Sequence, residues 1–288
     1  MKWCVVLLML VVAAPVQAKH DRKSFDAPES AVQDSDSGLI YVSNVGGAPD
    51  AKDGNGFIAK LKSDGTLAEM HFLPANGEPA LNAPKGLAIA GNLLWVTDLD
   101  RVVGFDPKKR KQVKEYSLTK LGVHFANDLV AASDHVLYVS DTAADQVISI
   151  DLTKDDGGPE VILKGATGGA NGLAIEKDSG DLLIAASPSD FKTKAVGWRV
   201  HTVPGTQYHQ LSPLPFQAGI GDGIASVGTA IYLSDWATGS IYKSDKGGAP
   251  VAVYSGLKGP ADFGITTDGK NIIIVDMVAS TVEIKPLK

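Results

Sequence analysis

Cysteine is nearly missing from this 288-residue chain: the only one, Cys4, stands ahead of an apolar stretch from Val5 to Val16 that ends in Gln17-Ala18. Lys2, the apolar core and the cleavage positions Val16 and Ala18 form the pattern of a signal peptide over residues 1–18. The stretch is short for a bilayer span and runs at once into Lys19-His20-Asp21-Arg22-Lys23. A chain cleaved after Ala18 keeps no thiol. That excludes disulfides, zinc–thiolate centres and cysteine nucleophiles, and leaves oxygen and imidazole as metal donors. The expected location is secreted or periplasmic, with no membrane contact after cleavage and residues 19–288 forming one domain.

Basic clusters are also scarce. Lysine and arginine number 27 against 33 acidic residues, a net charge of −6, and removal of Lys2 with the leader makes this 26 − 33 = −7. The one basic run, Lys108-Lys109-Arg110-Lys111, follows Asp106-Pro107 and reads as a solvated turn, so no nucleic-acid partner is expected. No Gly-x-Ser-x-Gly elbow, His-Glu-x-x-His helix or Walker loop is present. Gly165 to Ala170 is glycine-rich without the strand-to-helix setting that phosphate binding needs, and Asp34-Ser-Asp-Ser-Gly38 reads as a turn. Extended helical periodicity is lacking too. With 31 glycines and 15 prolines spread along the chain, many short strands joined by turns are expected.

What the chain does have is a repeat. A run of β-forming residues ending in a small polar group recurs six times: Leu39–Asn44, Leu93–Asp98, Val136–Asp141, Leu182–Ser187, Ile231–Asp235 and Ile272–Asp276. Each follows a short segment with its own polar pattern: Pro28-Glu29-Ser30, Pro84-Lys85-Gly86, Ala126-Asn127-Asp128, Ala170-Asn171-Gly172, Gly221-Asp222-Gly223 and Ala261-Asp262-Phe263. A third strand follows in every unit and a fourth in five of them. The spacing predicts an all-β, six-bladed β-propeller. The sixth unit stops at Lys288, so the mature N-terminus, around Arg22 to Phe25, is expected to supply its outer strand and close the ring. The carboxylates ending the second strands read as acceptors for backbone N–H groups, because they recur in units that cannot all be active sites.

The innermost strand of each blade lines the channel, so the middle residues of the short segments converge: Glu29, Lys85, Asn127, Asn171, Asp222 and Asp262. Three carboxylates held together repel unless a cation or Lys85 compensates them. Two carboxylates with two amide oxygens suit calcium, with magnesium or manganese next and zinc as a further candidate. Taken singly, each of these residues also fits a role in satisfying backbone groups where strands begin.

The segments around Glu29, Asn127, Asn171 and Asp222, in that order on blades one, three, four and five, resemble the senescence marker protein/gluconolactonase family and, more distantly, the paraoxonases. The resemblance covers all six repeats. It implies that Glu29, Asn171 and Asp222 bind a divalent metal directly, that Asn127 binds metal or substrate, and that Asp222 is the general base in hydrolysis of a small lactone or ester. A histidine of the paraoxonase second-blade motif is replaced by Lys85, which orients an acidic substrate or the oxyanion, or else pairs with a ring carboxylate such as Asp262. His124 is a candidate proton shuttle or a loop residue without chemical duty, and Trp236 a candidate wall of the substrate pocket or a packing residue. The competing reading is a non-catalytic propeller that binds a small ligand or a protein partner around a structural metal. A strictosidine synthase-like propeller fits the Glu, Asn, Asn, Asp order less well.

Overall fold

Each repeat folds as a four-stranded antiparallel sheet with its strands in chain order, except the last, which has three strands among the described residues. The computed structural model describes residues 24–188, 195–202 and 209–288. Blade 1 illustrates the unit: Pro28–Gln33, Ile40–Asn44, Phe57–Leu61 and Leu67–Leu73. The innermost strands of the next four blades are Pro84–Ala90, Ala126–Ser133, Ala170–Ile175 and Gly221–Val227. Blade 6 begins with a Pro260–Asp276 bridge and the short strand Gly264–Ile265. These innermost strands pack against one another from blade 1 to blade 5, and blade 1 packs in turn on blade 6. The six-bladed propeller expected from the repeat is the observed fold, and almost no helix accompanies it beyond one short 3-10 turn, Thr119–Leu121.

Packing explains why the repeats read as they do. Every second strand lies between two neighbouring blades and is covered on both faces, so Ile40–Asn44, Leu182–Ala186 and Ala230–Asp235 are buried throughout and continuous in apolar residues. The outer strand Lys111–Ser117 alternates instead, with one face in water. Cores form between blades. Tyr41, Ile58 and Phe72 of blade 1 meet Leu94, Val96 and Phe105 of blade 2, and Ala31, Ile40 and Val42 meet Ile273 and Val275 of blade 6. Each fully buried aliphatic or aromatic side chain contributes about 1.5–3 kcal/mol.

The last contact closes the ring. Gln33 Oε1 also accepts from the Thr267 amide at 2.9 Å. The expected pairing of Arg22–Phe25 with blade 6 falls largely outside the described residues, as does the leader. Phe25 is described, and it packs against the apolar cluster shared by blades 1 and 6.

Carboxylates ending the second strands do hold backbone. Asp98 accepts from the amides of Asn82 and Ala83 at 3.0 and 2.9 Å, Asp276 from Lys258 and Gly259 at 2.8 and 3.1 Å, and Asn44 from Asp26 at 3.0 Å. In each case the chain approaching the innermost strand is tied to the end of the second. Blade 4 has Ser187 at this position, and its approach is held from blade 3, where Asp145 accepts from Thr167, Gly168 and Ala170 at 3.2, 3.0 and 3.1 Å. The Asp34–Gly38 segment is a turn, with Gly38 in the left-handed region at φ 72°.

Asp235 is the fullest case, accepting from Gly219, Ile220, Ala237 and Thr238 at 2.9, 3.1, 3.0 and 3.4 Å. Asp235→Ala leaves those donors without their acceptor and is predicted to cost at least about 3 kcal/mol in urea unfolding, with Asp235→Asn costing less. A loss below about 1 kcal/mol for the alanine variant would contradict this bracing role.

Candidate functional site

A β-bulge sits at the same place in every innermost strand. In blade 1 Pro28 pairs with Asn44 and Ala31 with Val42, so Glu29 and Ser30 together face the single residue Ser43. The same two-against-one pairing places Lys85-Gly86 opposite Thr97, Asn127-Asp128 opposite Ser140, Asn171-Gly172 opposite Ala185, and Asp222-Gly223 opposite Ser234. The opposing hydroxyl steadies the bulge. Ser43, Ser140 and Ser234 accept from the amides of Ser30, Asp128 and Gly223 at 2.9, 2.9 and 2.7 Å. Bulges re-aim side chains, and here they direct both bulge residues toward the axis.

Two levels of residues result. The first holds Glu29, Lys85, Asn127, Asn171 and Asp222; the second holds Ser30, Gly86, Asp128, Gly172 and Gly223. Blade 6 corrects the expected register. Its Pro260–Asp276 bridge is equivalent to Pro28–Asn44, which puts Ala261 in the first level and Asp262 in the second. The hydrogen bonds agree. Asp262 Oδ2 accepts from Ser30 Oγ at 2.6 Å, and Asp128 Oδ2 accepts from the Leu173 amide at 2.6 Å, each carboxylate linking its blade to the next. Asp262 is therefore a strand-bracing residue of the second level. The signal that marks the register is the apolar residue that follows each bulge: Ala31, Leu87, Leu129, Leu173, Ile224 and Phe263. Glycine is required at the second level wherever the next blade crowds in; a Cβ on Gly172 would collide with the carbonyl oxygen of Asp222.

Electrostatics at the axis are unfavourable to the ionised acids. Burial raises Glu29 well above the usual carboxylate range, helped by the negative charges of Asp222, Asp262 and Asp128 and opposed by Lys85. Asp222 is pushed up to about 7 by desolvation and by Asp262, against a hydrogen bond from Asn171. Asp262 is pushed up to about 6 by burial, and burial also raises Asp128.

Three first-level oxygens are buried and lack any hydrogen-bond partner: Glu29 Oε2, Asn127 Oδ1 and Asn171 Oδ1. The amide nitrogens are engaged, with Asn127 Nδ2 donating to Thr142 Oγ1 at 3.0 Å and Asn171 Nδ2 to the Gly221 carbonyl at 3.4 Å. The arrangement turns acceptors, not donors, to the unfilled side. An unpartnered buried oxygen costs about 1–3 kcal/mol. Among the described residues no three His, Cys, Asp or Glu side chains form a metal cluster by themselves, so a cation here depends on the two amides as well as on Glu29 and Asp222. That mixed, all-oxygen donor set suits a hard divalent ion.

Lys85 occupies the first level but is spent elsewhere. It is 2% exposed, its Nζ donates to the carbonyls of Pro49 and Ala83 at 2.8 and 3.2 Å, and it lies 4.3 Å from the Phe125 ring centre. Among the described ion pairs none joins it to Asp262 or another axial carboxylate. Its ammonium instead fixes the 46–55 segment over blade 2, where Lys52 also pairs with Asp100 at 2.6 Å. His124 is exposed, three residues before Asn127. Trp236 is half-buried, and its indole lies beside Gly259 on the approach to blade 6. Of the segments expected to cover the mouth, 46–55 is described and residues 189–194 lie outside the described residues.

No family model matches the chain, and no curated protein matches it. Solved structures do. A gluconolactonase from Xanthomonas campestris is similar at 14% identity and TM-score 0.69, over 92% of this chain and 87% of that one. A virginiamycin B lyase from Staphylococcus aureus is similar at 15% identity and TM-score 0.62, over 91% and 95%. The hydrazine synthase of Kuenenia stuttgartiensis is similar at 11% identity and TM-score 0.59, over 94% and 99%. At such identity the likeness is one of fold.

The raised acids give a pH prediction. A carboxyl whose folded pKa exceeds its unfolded value contributes stability at low pH that is lost as pH rises through the folded pKa. Chelator-treated protein should therefore melt at progressively lower temperature from about pH 4 to about pH 7, the window set by the ordinary carboxylate range and by Asp262 and Asp222. Each kcal/mol lost lowers the midpoint by roughly 2–4 °C. Asp222→Asn should melt above the parent at pH 8 without metal and show no such advantage at pH 4; equal melting at pH 8 would contradict the raised pKa.

Proposed function

We propose that the chain is an exported, divalent-metal-dependent hydrolase of a lactone or small ester, with calcium as the preferred ion. The observation that carries this reading is the set of three unpartnered buried oxygens on Glu29, Asn127 and Asn171, held at equivalent bulges beside the carboxylate of Asp222. A cation at that point gives those oxygens a partner and relieves the repulsion among the axial acids. The resemblance of the Glu, Asn, Asn, Asp order to gluconolactonases, and the fold shared with one of them, favour hydrolysis over the other activities that propellers host.

When bound by Glu29, Asn127, Asn171 and Asp222, the metal supplies Lewis-acid polarisation of the substrate carbonyl. The chain's own residues supply the rest. Asp222 takes a proton from the attacking water, a task suited to a carboxylate with a pKa near the working pH. Its proton then passes to the departing alkoxide, so the ring of a lactone opens to a hydroxy acid with no other reactant than water. Asn127 and Asn171 keep their amide oxygens inward because Thr142 Oγ1 and the Gly221 carbonyl occupy their nitrogens. Lys85 is a positioning residue for the mouth segment, and His124 is the exposed group nearest in sequence to Asn127 for carrying protons outward. A protein exported from the cytoplasm meets calcium at levels that a site of two carboxylates and neutral oxygens can use.

The test titrates chelator-treated protein with calcium, magnesium, manganese and zinc while following both melting temperature and hydrolysis of lactones and aryl esters. One ion is expected to restore both. Asp222→Asn, which keeps shape and an oxygen donor, should retain the fold and lose about 10²–10⁴-fold in kcat. Full turnover in that variant removes Asp222 as the base, and a stabilising ion without turnover of any substrate points to a binding propeller.

A further inference from the structure

The residue immediately after the end of each second strand forms a collar above the first level: Val45, Leu99, Thr142, Pro188, Trp236 and Met277. Thr142 shows where this position lies, since its Oγ1 accepts from the first-level Asn127 and donates to the Ala170 carbonyl of the next blade at 2.8 Å. The collar is otherwise apolar. Val45 and Leu99 are closed off, buried with Ala83 in one cluster. Trp236 is only half-buried, and Val278, next to Met277, is 55% exposed.

Between these two side chains runs bare backbone. A Cβ on Gly259 would stand 2.6 Å from Val278 Cγ2 and 3.1 Å from Trp236 Cζ2, so the glycine is the floor of a narrow trough with an indole on one side and an isopropyl group on the other. That floor offers few hydrogen bonds. The amides of Lys258 and Gly259 are taken by Asp276, the Gly259 carbonyl by the Met277 amide at 2.9 Å, and the Ala261 amide and carbonyl by Val275 and Ser234 at 3.1 and 2.9 Å. Below the trough, Ala261 fills the first-level place that is polar in the five other blades. The sector beside Asp222 thus presents apolar surface with the Trp236 indole N–H as its one side-chain donor.

Resting on the hydrolase reading above, we propose that the Trp236–Gly259–Val278 trough binds the non-reacting part of the substrate and selects an alkyl- or aryl-substituted lactone or ester over a polyhydroxylated one. A hydroxylated substituent laid there would lose water without gaining partners, whereas each methylene gains from leaving water.

The test uses the full chain in calcium with five-membered lactones bearing side chains from methyl to hexyl, with glucono-1,5-lactone, and with the matching non-hydrolysable lactams followed by calorimetry. Lactam affinity and kcat/KM are expected to rise up to about fourfold per methylene. The rise should flatten in Trp236→Ala and in Val278→Ser, the latter changing an exposed side chain that leaves packing intact. Chain-length-dependent lactam binding without any turnover keeps the trough and sinks the hydrolase. Metal-restored turnover with no chain-length dependence, or with glucono-1,5-lactone preferred, overturns the trough and leaves the hydrolase standing; a slope unchanged in both variants also overturns it.

Discussion

Placing two residues opposite one, at the same point of every innermost strand, is the constraint from which the rest of the channel follows. Regular pairing would send alternate side chains into the blade interface and toward the next blade, leaving one axial residue per turn of the pleat. The bulge turns a consecutive pair inward, so six strands furnish two stacked levels at the axis. The hydroxyls of Ser43, Ser140 and Ser234 hold the amide that the bulge releases from the ladder. This also explains why the strand-ending pair is Ser-Asp or Thr-Asp: its first member serves the bulge, and its second ties down the approaching chain.

The two levels divide the work. In the second, Asp128 and Asp262 have their oxygens engaged by neighbouring blades, and glycine stands where the adjacent strand leaves no room for a side chain. These are the groups that set blade against blade. In the first, Glu29, Asn127 and Asn171 keep acceptors with nothing to accept from, an arrangement that lowers stability and persists only if something else compensates it. The contrast between a satisfied level and an unsatisfied one, a single residue apart, is the physical reason for assigning chemistry to the first.

Around the unsatisfied level the mouth is asymmetric. Over blades 1 and 2, Lys85 and the Lys52–Asp100 pair hold the 46–55 segment down. Over blades 5 and 6 the surface stays open and apolar. A substrate approaching Asp222 would therefore extend toward Trp236 and not toward Lys85, whose charge is consumed in holding backbone.

The sequence alone determined the number of blades, their strands, the bracing role of the strand-ending carboxylates and the grouping of Glu29, Asn127, Asn171 and Asp222 at the axis, because a repeat writes the same local physics six times. It misled where one copy departs from the others. Asp262 looked like a sixth axial ligand because its neighbours carry no proline or asparagine to fix the register, and only the pairing of Pro260 with Asp276 moved it by one residue and exposed Ala261. Lys85 is a similar case. Its place in the repeat put it at the axis, but which of several acceptors within reach of a long flexible side chain it chose was decided by the fold of a distant segment. Tertiary structure also decided which acceptors found no donor, since a hydrogen bond left unmade depends on every atom that could have reached it.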